Sequence, residues 1–374
     1  MAPQLNTMVL PEAMNWARDY AAPESSRPDG YESAYDRHTL FYDAIYIKKK
    51  RSVCLLCPKL MNFRKLLQEA EIRIDDEVMG IRIRERTVRH DEIWIHSPEP
   101  PRELTFSYRD FKLRIPISQP EDEIFRDRRC ALLKSKNNDL QWIRDWTQYH
   151  VRVHGLNGIL FFDNASDRYA IEDIENVLRS VDGLDRFLVL RTDRPYGPLA
   201  KVGPLRHRAK FLQEGLLNIG RIRFLSTASS VLSCDLDELV APIPGSNIFQ
   251  ETERTRLGYR SLDGYWLVTS PDHVGPVRHA HHRYRVQGLD RCARKYCIVP
   301  RGPLRWLNWE VHGVAKVRFR RILKGLSRRP EIYFWHCRSL TTYWKPRRRL
   351  PLYQSEDVLE LDEVAVVAMK DLLG

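Results

Sequence analysis

Ser229-Ser-Val-Leu-Ser-Cys-Asp-Leu-Asp-Glu-Leu-Val240 is the stretch on which the reading of this chain turns. A β-favouring run, Val231, Leu232 and Cys234, stops abruptly at the carboxylates of Asp235, Asp237 and Glu238. If the strand continues through them, side-chain alternation places Asp235 and Asp237 on one side and turns Leu236 back to the core. Paired carboxylates at the C-terminal end of a strand make a hard, oxygen-rich site suited to Mg²⁺ or Mn²⁺. Open α/β sheets bind their ligands at that end of their strands. A solvated acidic turn carries the same letters, so the flanking chain has to decide.

Upstream, from Arg128, strand and helix patterns alternate. Cys130–Leu133, Gly158–Phe162 and Phe187–Leu190 read as strands, and Leu140–Val153, Ala170–Ser180 and Leu205–Ile219 as helices. In the first helix Trp142, Trp146, Tyr149 and Val153 share a face at helical spacing. Such βαβα order predicts a mainly parallel, Rossmann-like sheet. Past Asp237 the alternation ends. Tyr265–Thr269, Tyr296–Val299 and Ile332–Trp335 read as strands, and Glu356–Leu373 as a last helix with Ser355 as N-cap and Glu356 and Asp357 in its first turn.

Leu40–Ile117 has a different rhythm: short alternating runs such as Ile81-Arg-Ile-Arg84 and Ile93-Trp-Ile-His96, punctuated by turn residues. These predict a small antiparallel β domain. The expected organisation is a loose arm over 1–35, a β-rich domain over 36–125 and an α/β domain over 126–374. The polar segment Ser118–Asp127 is read as the linker.

The 374 residues are 43% hydrophobic, as in a folded chain. No apolar run reaches the about 20 residues that span a bilayer. Met1–Arg18 lacks a basic start followed by an apolar core, so a cytoplasmic protein is expected. The seven cysteines imply a reducing compartment and buried thiols. Core packing is preferred over zinc for Cys54 and Cys57. The same preference holds for Cys292 and Cys297, near His279, His281 and His282. A net charge of +12 implies an anionic partner: nucleic acid, an anionic membrane or a phosphorylated substrate.

Three polar clusters close predicted strands: Lys136-Asn-Asn-Asp139, Asp163-Asn-Ala-Ser-Asp167 and Asp235-Leu-Asp-Glu238. Singly, the first fits a helix cap and the second an Asx turn. Together they fall along one rim of a parallel sheet, where a nucleotide would lie. Asp163 would accept from a uracil or ribose group, and a metal on Asp235 and Asp237 would bridge a diphosphate.

Taken in order with Trp146-Thr-Gln-Tyr-His150-Val-Arg-Val-His154-Gly155, these clusters resemble the motifs of GT-A-fold nucleotide-sugar glycosyltransferases. The resemblance is strongest to the bacterial family-2-like group related to glycosyltransferase family 92. Lys295-Tyr-Cys-Ile-Val-Pro300, Val311-His312 and Trp335-His336-Cys337-Arg338-Ser339 with Lys345 are similar to that group's downstream segments. There are departures. Asp139 stands where Glu is usual, Asp167 comes one residue early, Leu239 replaces Phe and Cys337 replaces Tyr.

The resemblance implies Mn²⁺ or Mg²⁺ on Asp235 and Asp237, with His312 as third ligand or phosphate contact and a core histidine as the alternative. It implies donor contacts from Lys136, Asn137, Asp163, Asn164, Ser166, Lys295 and His336. An inverting transfer needs a base near the acceptor hydroxyl, and Asp272 and Glu310 are the candidates. Trp266, Trp306, Trp309 and Trp335 are candidate sugar platforms, with core packing as the alternative for each. The implied partners are a nucleotide diphosphate sugar and a saccharide or lipid-linked acceptor, as in polysaccharide biosynthesis. Basic stretches at Lys316–Arg329 and Lys345–Arg349 would touch the inner face of an anionic membrane peripherally. The alternatives are a basic nucleic-acid-binding protein and a metal-dependent nuclease. The charge is not concentrated in a recognised nucleic-acid module, and a two-metal nuclease would need further acidic ligands.

Overall fold

The computed structural model describes residues 3–198, 203–204, 207–270, 272–288, 291–314, 327–338, 340 and 358–372. They fall into two compact units, Met1–Asp122 with Leu190–Ser226 and Asn308–Glu310, and Glu123–Val189 with Thr227–Leu307 and Val311–Gly374.

The first unit is β-rich. The antiparallel strands Asp43–Ile47, Ser52–Pro58, His90–His96 and Ile81–Glu85 form one sheet in that order. Phe111–Pro116, Glu103–Tyr108, Glu71–Ile74 and Glu77–Val78 form a second. Alternation sends Val53, Leu55, Ile93 and Ile95 into a core shared with Ile72, Leu104 and Phe106. Cys57 joins that core while Cys54, three residues earlier, points to the other face, so the pair cannot chelate one ion.

The expected loose arm is packed instead. Met8–Val9 pairs with Thr39–Phe41, and Met8, Leu10 and Met14 are buried. Arg18 is fully buried because backbone carbonyls take its guanidinium: Nε donates to Lys59 O at 2.8 Å and NH1 to Asp36 O at 2.6 Å. Ser118–Asp127 is also not a free linker. Tyr46 N donates to Ser118 O at 2.9 Å, Glu121 N donates to Arg223 O at 2.8 Å, and Phe125 is buried.

Leu190–Ser226 was expected in the α/β domain, yet it packs in the first unit. Its helix Phe211–Ile219 is buried all round. Gly215 allows the close approach, since a Cβ there would lie 2.5 Å from the Tyr42 ring. Arg223 pairs with Asp43 at 2.8 Å and Glu121 at 2.6 Å, and Glu214 pairs with Arg89 at 3.1 Å.

The second unit is a mixed α/β structure. Gly158–Asp163, Arg129–Ser135 and Ser230–Ser233 are adjacent, and both of their pairings are parallel. Cys292–Ile298 then adds antiparallel to Ser230–Ser233, and Tyr259–Thr269, His282–Val286 and Leu359–Leu361 follow antiparallel in turn. Arg328–Cys337 pairs parallel with Tyr259–Thr269 and antiparallel with Glu238–Val240. The sheet is therefore mixed, where a mainly parallel one was expected. Most pairings made by the strands after Asp237 are antiparallel, and Arg328–Cys337 on Tyr259–Thr269 is a parallel one.

Helix Leu140–His154 is capped by Asp139, which accepts from Gln141 N at 2.8 Å, and ends at Gly155 with φ 69°. The capping reading of that first cluster is the one realised. The expected last helix is shorter, Glu363–Met369. Asp362 caps it by accepting from Ala365 N at 3.0 Å, and the preceding residues form the edge strand Leu359–Leu361. Ser355, Glu356 and Asp357 lie outside the described residues. Among the described residues, no helix is long and apolar enough to cross a membrane.

His150 and His154 sit on the buried face of helix Leu140–His154, with their rings 5.8 Å apart. His154 Nε2 lies 2.9 Å from Val240 O, and burial lowers its pKa to about 4. The unfolded ring titrates near 6.5, so the unfolded state takes up more protons below that pH. This share of stability is present above about pH 6.5 and is lost as pH falls toward 4. His154→Gln keeps a donor toward Val240. From pH 7.5 to pH 5 it is expected to lose about 2 kcal/mol less stability than the wild type. Urea unfolding at the two pH values measures this, and parallel slopes would contradict it.

Candidate functional site

The Asp-x-Asp segment does not continue the strand. Ser230–Ser233 ends, Cys234 and Asp235 follow outside the strand, and a turn closes with Glu238 N donating to Asp235 O at 3.0 Å. Glu238 reinforces it by accepting from Asp235 N at 2.8 Å. Alternation therefore does not apply, and the aspartates part company. Asp235 turns to Lys295 and to Lys134, whose Nζ is 3.8 Å from Oδ1. Asp237 turns to His336, with Oδ2 3.1 Å from Nε2.

Strand pairing supplies the partner. Glu238 stands directly opposite His336, and Trp266 is registered with His336 on the other side. Asp237, Glu238 and His336 each offer a ligand atom, and all of these lie within 4.8 Å of one another. This is a donor set with the size and chemistry to hold a divalent cation. The Trp266 ring lies 4.2 Å from the His336 ring and the Arg338 guanidinium 4.6 Å from Trp266, a column beside the carboxylates.

Lys295 is 2% exposed and spans Asp235 and Glu238, 3.0 Å from the latter. Burial works to raise the Asp235 pKa, but the Lys295 and Lys134 ammoniums outweigh it and hold the carboxyl well below its usual range. For Glu238 burial prevails and, helped by Asp235, pushes the carboxyl up to about 7 against the pull of Lys295. Burial opposes the charge on Lys295, which Asp235 and Glu238 nevertheless hold. Near neutral pH Glu238 is therefore partly protonated, and an added cation would favour its ionised form.

The turn is braced from behind. His279, fully buried, hydrogen-bonds through Nε2 to Leu236 O at 2.7 Å, and Asp237 O accepts from Cys337 N at 2.7 Å. Asp145 stands behind His279. It is clasped by Arg278 at 2.9 and 2.8 Å and by Gln141 at 2.7 Å.

The other two clusters meet at the ends of adjacent parallel strands, where Ser135 is registered with Asp163. Asn137 N donates to Ser166 Oγ at 2.8 Å, and Asn137 Oδ1 accepts from Asp167 N at 2.9 Å. Asp163 is 1% exposed and accepts from Ser166 N at 3.0 Å and Ser166 Oγ at 2.5 Å. Asn164 N donates to Ser135 O at 2.8 Å. These residues hold the two loops together in the manner of an Asx turn. Lys136 is half-buried on the same loop.

The remaining candidates fall elsewhere. His312 is exposed, with Nδ1 2.9 Å from Arg294 O, and the histidine grouped with the carboxylates is His336. Asp272 is exposed in the second unit. Glu310 belongs to the first unit, near Glu214. Trp309 and Trp335 are core residues at 1% and 0% exposure, whereas Trp306 is 59% exposed. Glu238, absent from the expected ligands, is the residue that sequence reasoning passed over. Its place in the Asp-x-Asp-Glu run was the available signal. Of the basic stretches, Lys345–Arg349 and 316–326 lie outside the described residues. Arg328 pairs with Asp263 at 2.7 Å and Arg329 with Glu251 at 3.7 Å.

No family model matches the chain, and no curated protein matches it. Among solved structures it is similar to the apo structure of the WbbM bifunctional glycosyltransferase. The two share 9% identity over 42% of this chain, with a TM-score of 0.25. The match spans 26% of that protein's length. At that score the likeness settles neither fold nor function.

Proposed function

We propose that the chain is a metal-dependent glycosyltransferase of GT-A type. It would move a sugar from a nucleotide diphosphate sugar to a saccharide or lipid-linked acceptor. The observation that carries the reading is the group Asp237, Glu238 and His336 beside the C-terminal end of the Ser230–Ser233 strand. That is where α/β sheets take their ligands. Two carboxylates and an imidazole fit Mn²⁺ better than Mg²⁺, which prefers oxygen alone. A bound Mn²⁺ would neutralise charge developing on the leaving diphosphate.

The chain's own groups supply the rest. Lys295 and Lys134 keep Asp235 ionised and fix the turn. The brace through His279 holds the Leu236 carbonyl, and with it the aim of Asp237. The Asn137 and Asp163 loops form the neighbouring rim for a nucleoside. Asp272 is the base candidate in the same unit as the metal group. A cytoplasmic location with peripheral contact at an anionic membrane remains part of the proposal.

The test is a panel of nucleoside diphosphates and their sugars, each with and without Mn²⁺. Thermal shift reads binding, and release of nucleoside diphosphate reads turnover. Mn²⁺-dependent stabilisation by one nucleotide class is expected. Binding of none of them, together with tight, steeply salt-dependent binding of duplex DNA, would replace the reading with the nucleic-acid one.

A further inference from the structure

A hollow lies on the β-rich unit. Lys50, Ser52, Gly80, Ile81, Arg82, Arg84, Trp94 and His96 enclose about 460 Å³. The register explains its chemistry. Ser52 is opposite His96, and Arg82 is opposite Trp94. With Arg84 two residues further along, these side chains share the face that points away from the core. The core-facing residues of the same strands, such as Val53, Ile93 and Ile95, are apolar.

Among the described residues, the lining holds Lys50, Arg82, Arg84 and His96 and no carboxylate. Glu92, an acidic residue on that face, is 1% exposed and committed elsewhere. It accepts from Trp94 Nε1 at 2.8 Å and pairs with Arg86 at 3.3 Å and Arg221 at 3.5 Å. Trp94 is itself only 9% exposed, and its ring lies 4.3 Å from the Lys50 ammonium and 5.1 Å from the Arg84 guanidinium. The indole therefore serves as a platform that gathers cations and is not free for a ligand to stack on. Burial lowers the pKa of Lys50, and Arg84 and Arg221 lower it further while Glu92 opposes them. An anion in the hollow would relieve that crowding.

We propose that this hollow is a binding site for a small anionic ligand of one or two ring units, recognised through a carboxylate or phosphate group. Its volume admits a ligand of that size but not a folded partner, and its cations and hydroxyl offer donors beside the apolar surface of Ile81 and Trp94. Arg82 and Arg84 supply planar forks for a carboxylate or phosphate, Lys50 a point charge, and Ser52 a neutral donor. The proposal is independent of the glycosyltransferase reading.

The test is calorimetric titration of the full chain with digalacturonate, glucose 1-phosphate, inorganic phosphate and neutral lactose. Saturable binding of a carboxylate or phosphate probe, weakened by salt and absent for lactose, is expected. The double variant Arg82→Ala with Arg84→Ala should weaken it at least tenfold. Both arginines lie on the outward face, so the fold should survive, which circular dichroism verifies. Binding to digalacturonate but not phosphate assigns a carboxylate ligand, and the reverse a phosphate. The proposal is overturned if no anion binds at millimolar concentration, if lactose binds equally, or if a folded double variant binds unchanged.

Discussion

Asp237→Asn is expected to lower turnover of an accepted nucleotide sugar by at least about 10²-fold at saturating Mn²⁺, without loss of the fold. The amide keeps the side chain's shape and removes its charge from the donor group with Glu238 and His336. The backbone contacts that hold the turn, Leu236 O with His279 and Asp237 O with Cys337 N, do not depend on the carboxylate. Asp235→Asn is the comparison. Read as two alternating strand residues, the aspartates should be equally damaging to lose. Their observed partners separate them, because Asp235 faces Lys295 and Lys134 while Asp237 faces His336. The expected order is therefore a larger loss of Mn²⁺ affinity for Asp237→Asn than for Asp235→Asn, measured by metal titration with nucleotide present. Unchanged turnover in Asp237→Asn would rule out the metal assignment. Equal losses in both variants would return the two aspartates to equivalent roles.

Lys295→Met is expected to destabilise the second unit by about 3–5 kcal/mol, the usual cost of removing one partner of a buried ion pair. Lys295 is 2% exposed, and methionine fills most of its volume, so lost packing is a small part of the effect. The larger part is electrostatic. Asp235 and Glu238 would face each other without the cation between them, and Glu238 already carries a raised pKa of about 7. Adding Glu238→Gln removes the second carboxyl left beside Asp235, with its charge or the cost of its protonation, and should restore part of the loss. Urea unfolding of the two variants at pH 7.5 measures both steps. A single variant as stable as the wild type, or a double variant no better than the single, would show that Lys295 does not hold this site together.

Much of the α/β region was open to reading from local pattern. Leu140–Val153 carried helical spacing, a capping aspartate and a terminal glycine, and the observed helix differs from that range by one residue, ending at His154. Gly158–Phe162 and Cys130–Leu133 were dense apolar runs between turn residues, and strands occupy both. The alternating runs before Ile117 likewise became two antiparallel sheets. Local signals sufficed there because hydrophobic period and capping chemistry act over a few residues.

Other features depended on residues far apart in the chain. Met1–Tyr35 looked loose because proline, serine and aspartate say nothing about what lies against them, and Lys59 and Thr39 turned out to hold Arg18. Helix Phe211–Ile219 had a clear pattern, but its neighbour Tyr42 could not be read from it. At the site, the sequence by itself determined that an apolar strand ends in Asp235, Asp237 and Glu238, and that a lysine and several histidines lie downstream. Tertiary structure alone decided that the strand breaks into a turn, that Lys295 takes Asp235, and that His336 rather than His312 joins the carboxylates. The physical reason is the pairing of Glu238–Val240 with Arg328–Cys337, a register set by backbone hydrogen bonds between segments about a hundred residues apart.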